Sequence, residues 1–123
     1  MIELPKKPHY KLNVVKKLIR NDRFNYYSSV HGTIAAIGFF RVDVKEFFLK
    51  HLTVRDFDKQ MMHDRYNINS HLHCMVDVYK SVFKSRQIYT KFCINYHVGR
   101  AHPSRPKNYE GLQSLDIQSF KQL

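Results

Sequence analysis

The sequence predicts an α+β fold with helices first and an antiparallel sheet after them. Three observations predict it. Residues 11–20, "KLNVVKKLIR", place Leu12, Val15, Leu18 and Ile19 on one helical stripe, with Lys11, Lys16, Lys17 and Arg20 mostly off it. Residues 77–95, "DVYKSVFKSRQIYTKFCIN", alternate with period two instead. Ile88, Phe92 and Ile94 fall on one parity; Tyr89, Lys91 and Asn95 fall on the other. The third observation is the order, helical patterns before strand patterns, which favours α+β over alternating βαβ units.

Each element has a local reason. The first helix stops at Asn21-Asp22, and residues 25–38 read as a second helix. Asp43 is the expected N-cap of "VKEFFLKHL", whose Val44, Phe47, Phe48 and Leu52 share one side. Thr53 opens a short helix, with Asp56 three residues on as its capping-box acid. Residues 64–71, "DRYNINSH", read as loop. Strands follow at 74–83 and 86–96, joined by a tight turn at Lys84-Ser85. The stretch from Gly99 to Gly111 holds Pro103 and Pro106 and reads as loop, since proline cannot donate to a sheet ladder. "LQSLDIQSFK" closes the sheet as a terminal strand. At 123 residues the chain is expected to be a single domain, 1–123.

Composition narrows the function classes. The hydrophobic share of 43% is enough for a core. The most apolar stretch, "TIAAIGFF", is far shorter than the ~18 residues a membrane helix needs, so no membrane partner is expected. The opening "MIELPKKPHYK" lacks the layout of a signal peptide, and Cys74 and Cys93 form no disulfide framework. A reduced, cytoplasmic protein is the expectation. Charge is the strongest global signal: 21 Lys and Arg against 10 acids give +11. Such an excess favours a polyanionic partner, and 8 tyrosines and 9 phenylalanines add surfaces on which single-stranded bases stack.

The chemical inventory is mostly negative. No glycine-rich phosphate loop, H-E-x-x-H or G-x-S-x-G is present. Glu3, Glu46 and Glu110 make no Glu-x-Lys, and Asp64 with Asp77 is the best carboxylate pair for a magnesium site, a weak one. "HLHC" at 71–74 has zinc-binding side chains but no second ligand pair at conventional spacing, only isolated His97 and His102. Neither a metal nor another cofactor is expected. Cys74, between apolar strand residues, reads as a structural thiol. What remains is a basic, tyrosine-rich set, which suits metal-free RNA cleavage. There the RNA's own 2′-hydroxyl attacks the neighbouring phosphate, and Lys, Arg, His and Tyr share the proton transfers and the charge. Single-stranded RNA is the natural substrate, because its bases can be splayed and read.

Four stretches resemble one family. "PHYKLNVVKKLI" at 8–19 is similar to the opening of the MqsR toxins, Pro-His-x-x-Leu-x-x-Val-Lys-Lys-Leu. "LTVRDFDKQM" at 52–61 resembles their Leu-x-x-x-Asp-Phe-x-Lys-x-Met. "DVYK" and "RQIYTKFCI" resemble their strand pair, and "IQSFKQ" their Val-Ser-Phe-Lys ending. The resemblance implies a RelE-like fold, with an antiparallel sheet packed by N-terminal helices. It implies the toxin of a type II toxin–antitoxin system, a ribosome-independent, sequence-specific mRNA endoribonuclease. It also implies a cognate MqsA-type antitoxin, with DNA engaged only through the antitoxin complex.

The same resemblance implies catalytic roles for Lys59, Tyr89 and Lys121. Lys91 and Arg86 are candidate phosphate contacts, and His73 and Gln87 are further substrate-binding candidates. The family's glutamine just before Asp-Val-Tyr is Val76 here. Either His71, His73 or Gln87 compensates, or cleavage is weaker or differently specific. Segments 62–73 and 97–111 are longer than in the family. The alternative is a noncatalytic co-regulator that binds RNA or antitoxin through the same basic sheet.

Overall fold

The computed structural model describes residues 6–62, 75–96 and 113–123. In chain order they form α1 (Leu12–Arg20), β1 (Phe24–Tyr26), α2 (Ser28–Ala36) and α3 (Arg41–Glu46). A π-helical turn (Phe47–His51) continues α3, and a 3-10 turn (Val54–Asp56) precedes the strands β2 (Phe57–Met62), β3 (Met75–Phe83), β4 (Arg86–Tyr96) and β5 (Gln113–Gln122). The sheet order is β1-β5-β4-β3-β2. All neighbours are antiparallel except β1, which runs parallel to β5. This is the expected α+β fold, consistent with a RelE-like toxin. The expected loops at 64–71 and 99–111 lie outside the described residues.

Helix α1 buries the predicted stripe: Val15, Leu18 and Ile19 are buried and Leu12 packs beside them. It ends where Asp22 adopts the left-handed conformation, φ 57°. The Asp22 N–H donates to Ile19 O (3.1 Å) and the Arg23 N–H to Leu18 O (2.8 Å), the Schellman pair that satisfies the last carbonyls. Helix α2 ends the same way at Gly38, φ 76°, with Gly38 and Phe39 donating to Ala35 and Ile34.

Three local expectations change. Residues 25–38 split into β1 and α2, because three residues carry no readable period and Phe24–Tyr26 is a strand only through β5. Asp43 is not the N-cap: Phe40, three residues earlier, takes that place, and the Asp43 carboxylate reaches back to accept the Phe40 N–H at 2.7 Å. Phenylalanine offers no acceptor in return, so only half a capping box forms. At Thr53 the expected acid is in place; the Thr53 N–H and hydroxyl donate to Asp56 at 2.8 and 3.1 Å. The short helix expected at Thr53 is a single 3-10 turn, Val54–Asp56, and Lys59 falls beyond it on β2. The pairing there steps from Phe57↔Tyr79 to Lys59↔Val78, so Asp58 is an extra residue that hides the alternation.

One face of the sheet meets the helices. Phe47 and Phe48 both turn inward and join Phe83, Phe92 and Phe120. Their rings meet edge to face, with Phe47 5.2 Å from Phe120 and Phe48 5.6 Å from Phe92. Each fully buried ring contributes about 1.5–3 kcal/mol relative to exposure. Asp77 lies on this face too, fully buried, and fastens the chain start to the sheet. Its carboxylate accepts the His9 and Tyr10 N–H groups, each at 2.9 Å. The Gln60 amide donates to Lys7 O at 2.6 Å and helps the same attachment.

Candidate functional site

The opposite face is where the alternation sends Tyr89 and Lys91. Residues paired across neighbouring antiparallel strands share a face. The registers therefore assemble rows. One row reads Lys80, Tyr89, Lys121 across β3, β4 and β5. The next reads Lys59, Val78, Lys91, Ser119 from β2 to β5. Rows lie two residues apart, about 6.6 Å, and strands about 4.8 Å apart. Four lysines from four strands thus share one face with Tyr89.

Within the first row the Lys121 Nζ stands 5.2 Å from the Tyr89 ring centroid, a cation–π distance. Tyr89 is half-buried, whereas Lys59, Lys80 and Lys121 are exposed. Lys80 pairs with Asp58, the bulge residue, at 3.5 Å. Both partners are well hydrated, so the pair contributes little to stability. Val78 lies between Lys59 and Lys91 and is fully buried, which gives the second row an apolar floor.

The sheet thus brings together Lys59, Tyr89, Lys91 and Lys121 of the candidate residues. Gln87 shares their face one row further toward the β3–β4 turn, opposite Val82. Arg86 falls on the other parity and donates to the Gln122 Oε1 at 2.7 Å, away from this cluster. His73 lies outside the described residues, as do the rest of the 71–74 segment, Asp64, His97 and His102. Among the described residues no group of three His, Cys, Asp or Glu side chains is placed to hold a metal ion.

Val76 is buried at 1% exposure and pairs with Met61. Gln87 is three rows away along the sheet, about 20 Å, so its amide does not reach the Val76 position. Cys93 lies on this face but is buried; burial pushes its thiol up to about 12, which keeps it protonated and unsuited to attack.

One residue escaped the sequence reading. Lys80 was legible, because a two-residue turn fixes the hairpin register. Once Phe83 faces Arg86, counting back three residues puts Lys80 beside Tyr89. The turn itself is held: Lys84 and Ser85 both have positive φ, 52° and 63°, without glycine. The Lys84 ammonium binds Asp43 at 2.5 Å and Glu46 at 3.7 Å, clamping the turn onto α3.

The model of a protein family described as "Motility quorum-sensing regulator, toxin of MqsA" matches residues 7–99. No curated protein and no solved structure matches the chain.

Proposed function

This chain belongs to the MqsR toxin family, the toxin side of a toxin–antitoxin system, and we propose that it is a ribosome-independent, sequence-specific mRNA endoribonuclease. The observation that carries the reading is the Tyr89–Lys121 contact at 5.2 Å within a lysine-ringed open sheet face. Its activity is switched off by an MqsA-type antitoxin, its place of action is the cytoplasm, and it meets DNA only through the antitoxin complex.

The face suits the chemistry as follows. RNA lies across the rows, with phosphates held by Lys91, Lys80 and Lys121. The 2′-hydroxyl oxygen bonds to phosphorus as its proton leaves to a side chain of the site. The phosphorus–5′-oxygen bond breaks, and the 5′-oxygen takes a proton. Lys59 and Tyr89 are the proton-transfer groups. Lys121, set against the Tyr89 ring, stabilises the charge that builds on the non-bridging oxygens. The products are a 2′,3′-cyclic phosphate and a 5′-hydroxyl.

Purified protein incubated with a long single-stranded RNA in EDTA tests this. The expected result is cleavage at unchanged rate, with cyclic-phosphate and 5′-hydroxyl ends. Loss of cleavage in EDTA, or 5′-phosphate ends, would overturn the mechanism. The buried Val76, where the family has a polar glutamine, favours a second reading: a noncatalytic surface that binds RNA or antitoxin. Failure to cut any long RNA while still binding it would establish that alternative.

A further inference from the structure

One row beyond Tyr89 the open face changes character. Val82 and Leu123 are exposed at 63% and 57%, large apolar side chains with no helix over them among the described residues. Gln87 joins them: it pairs with Val82, and its carbonyl accepts the Leu123 N–H at 2.8 Å. With Lys80, Ser81 and Asp56 they line a depression of about 200 Å³. The Gln87 side-chain amide has no partner among the described residues. Asp56 offers a second acceptor: both bonds from Thr53 go to its Oδ2, which leaves Oδ1 unpartnered among the described residues.

We infer that this depression is a nucleobase subsite. It takes the base of the nucleotide adjoining the phosphate at Tyr89 and Lys121, and it prefers a base with an exocyclic amine. The inference rests on the RNA-cleaving reading of the same face. Three observations carry it. The volume is below the roughly 300–1,000 Å³ of a small-ligand pocket, room for one ring system of a polymer held elsewhere. Lys80 belongs to both the depression and the Tyr89 row, so base and phosphate sites are one row, about 6.6 Å, apart. The lining also has the composition a base needs: Val82 and Leu123 for the ring face, and Gln87 and Asp56 for the edge. An amide reads both donors and acceptors, and a carboxylate accepts from an amine such as that of cytosine. Uracil has no such amine and can offer Asp56 only its ring N3–H, so it makes one contact fewer along the same edge.

Two measurements test it. In the first, non-cleavable 2′-O-methyl hexanucleotides of cytidine and of uridine are titrated into the isotope-labelled protein. The expected result is amide shifts at Val82, Gln87 and Leu123, saturating earlier with the cytidine oligomer. Shifts that spare these three residues overturn the subsite, whether or not the protein cuts RNA. So does movement of these residues with an antitoxin alone, which would assign the depression to a protein partner. In the second, cleavage sites on one long mixed-sequence RNA are counted for the wild type and for Gln87→Ala. The expected result is that discrimination between bases at one fixed position beside the cut falls about tenfold. Counting ratios within one reaction removes any change in overall rate. An unchanged ranking overturns the subsite while leaving the cleavage reading intact. Shifts without cleavage by the wild type sink the nuclease reading and leave a base-binding surface.

Discussion

The two faces of β3, β4 and β5 are built from the same strands and follow opposite rules. Phe120 and Lys121 are adjacent in sequence; the first is fully buried among the rings of Phe39, Phe47 and Phe48, while the second stands exposed against Tyr89. On the helix-covered face Asp77 holds two backbone N–H groups and Thr90 donates to Ser119 O at 2.9 Å, while the buried Tyr79 hydroxyl has no partner among the described residues. On the open face Lys59 and the Gln87 amide have no partner among the described residues. A strand can afford this because period two isolates the faces, so one can be set for stability while the other is left for a ligand.

The largest effect comes from breaking the covered face. Phe120→Ala removes a ring from the centre of the cluster and should cost about 3–5 kcal/mol. Urea unfolding measures it; a loss under ~1 kcal/mol would mean that the cluster is not the core. Next in size are the open-face variants. Lys59→Ala, Tyr89→Phe and Lys121→Ala should each lower RNA cleavage about 10²–10³-fold. Their unfolding free energies should stay within the small range typical of surface changes, about 0.5 kcal/mol. Single-turnover cleavage set beside urea curves gives the answer, and wild-type rates would move the site elsewhere.

A smaller loss is expected where the chain start is fastened. Asp77→Ala leaves the His9 and Tyr10 N–H groups without their acceptor and should cost about 1–3 kcal/mol. Faster hydrogen exchange at those two amides identifies the cause, and unchanged exchange would refute it.

The smallest expected effect sharpens the comparison through pH. Burial raises the Asp77 carboxyl above the ordinary carboxylate range. Its contribution to stability is therefore full below that range and declines as pH rises through its folded value. Asp43 is the reverse: the hydrogen bond from Lys84, then that from the Phe40 N–H, lowers it. Its contribution is present above the ordinary range and is lost as pH falls through its folded value. Melting curves across the acid range should show Asp43→Asn losing less than wild type on acidification. Asp77→Asn should lose less than wild type as pH rises from the acid end. The same slope in both variants would contradict this pairing of causes.

The helical stripe of α1, the strand pair 75–83 and 86–96 and the split of Tyr89 from Phe92 were readable from residue order, because a period is a local property. So was the register that sets Lys80 beside Tyr89, since a two-residue turn fixes it. Lys59 and Lys121 entered as candidates only through resemblance to a family, because one lysine in a basic chain carries no local mark. Tertiary structure decided the rest. Phe24–Tyr26 is a strand only because β5 lies alongside, some 90 residues later. Lys59 faces outward only because the bulge at Asp58 shifts β2 against β3. The depression under Val82, Gln87 and Leu123 exists only once β5 closes on β4. Each of these depends on a partner distant in the chain, and a contact of that kind leaves no trace in the pattern of either segment alone.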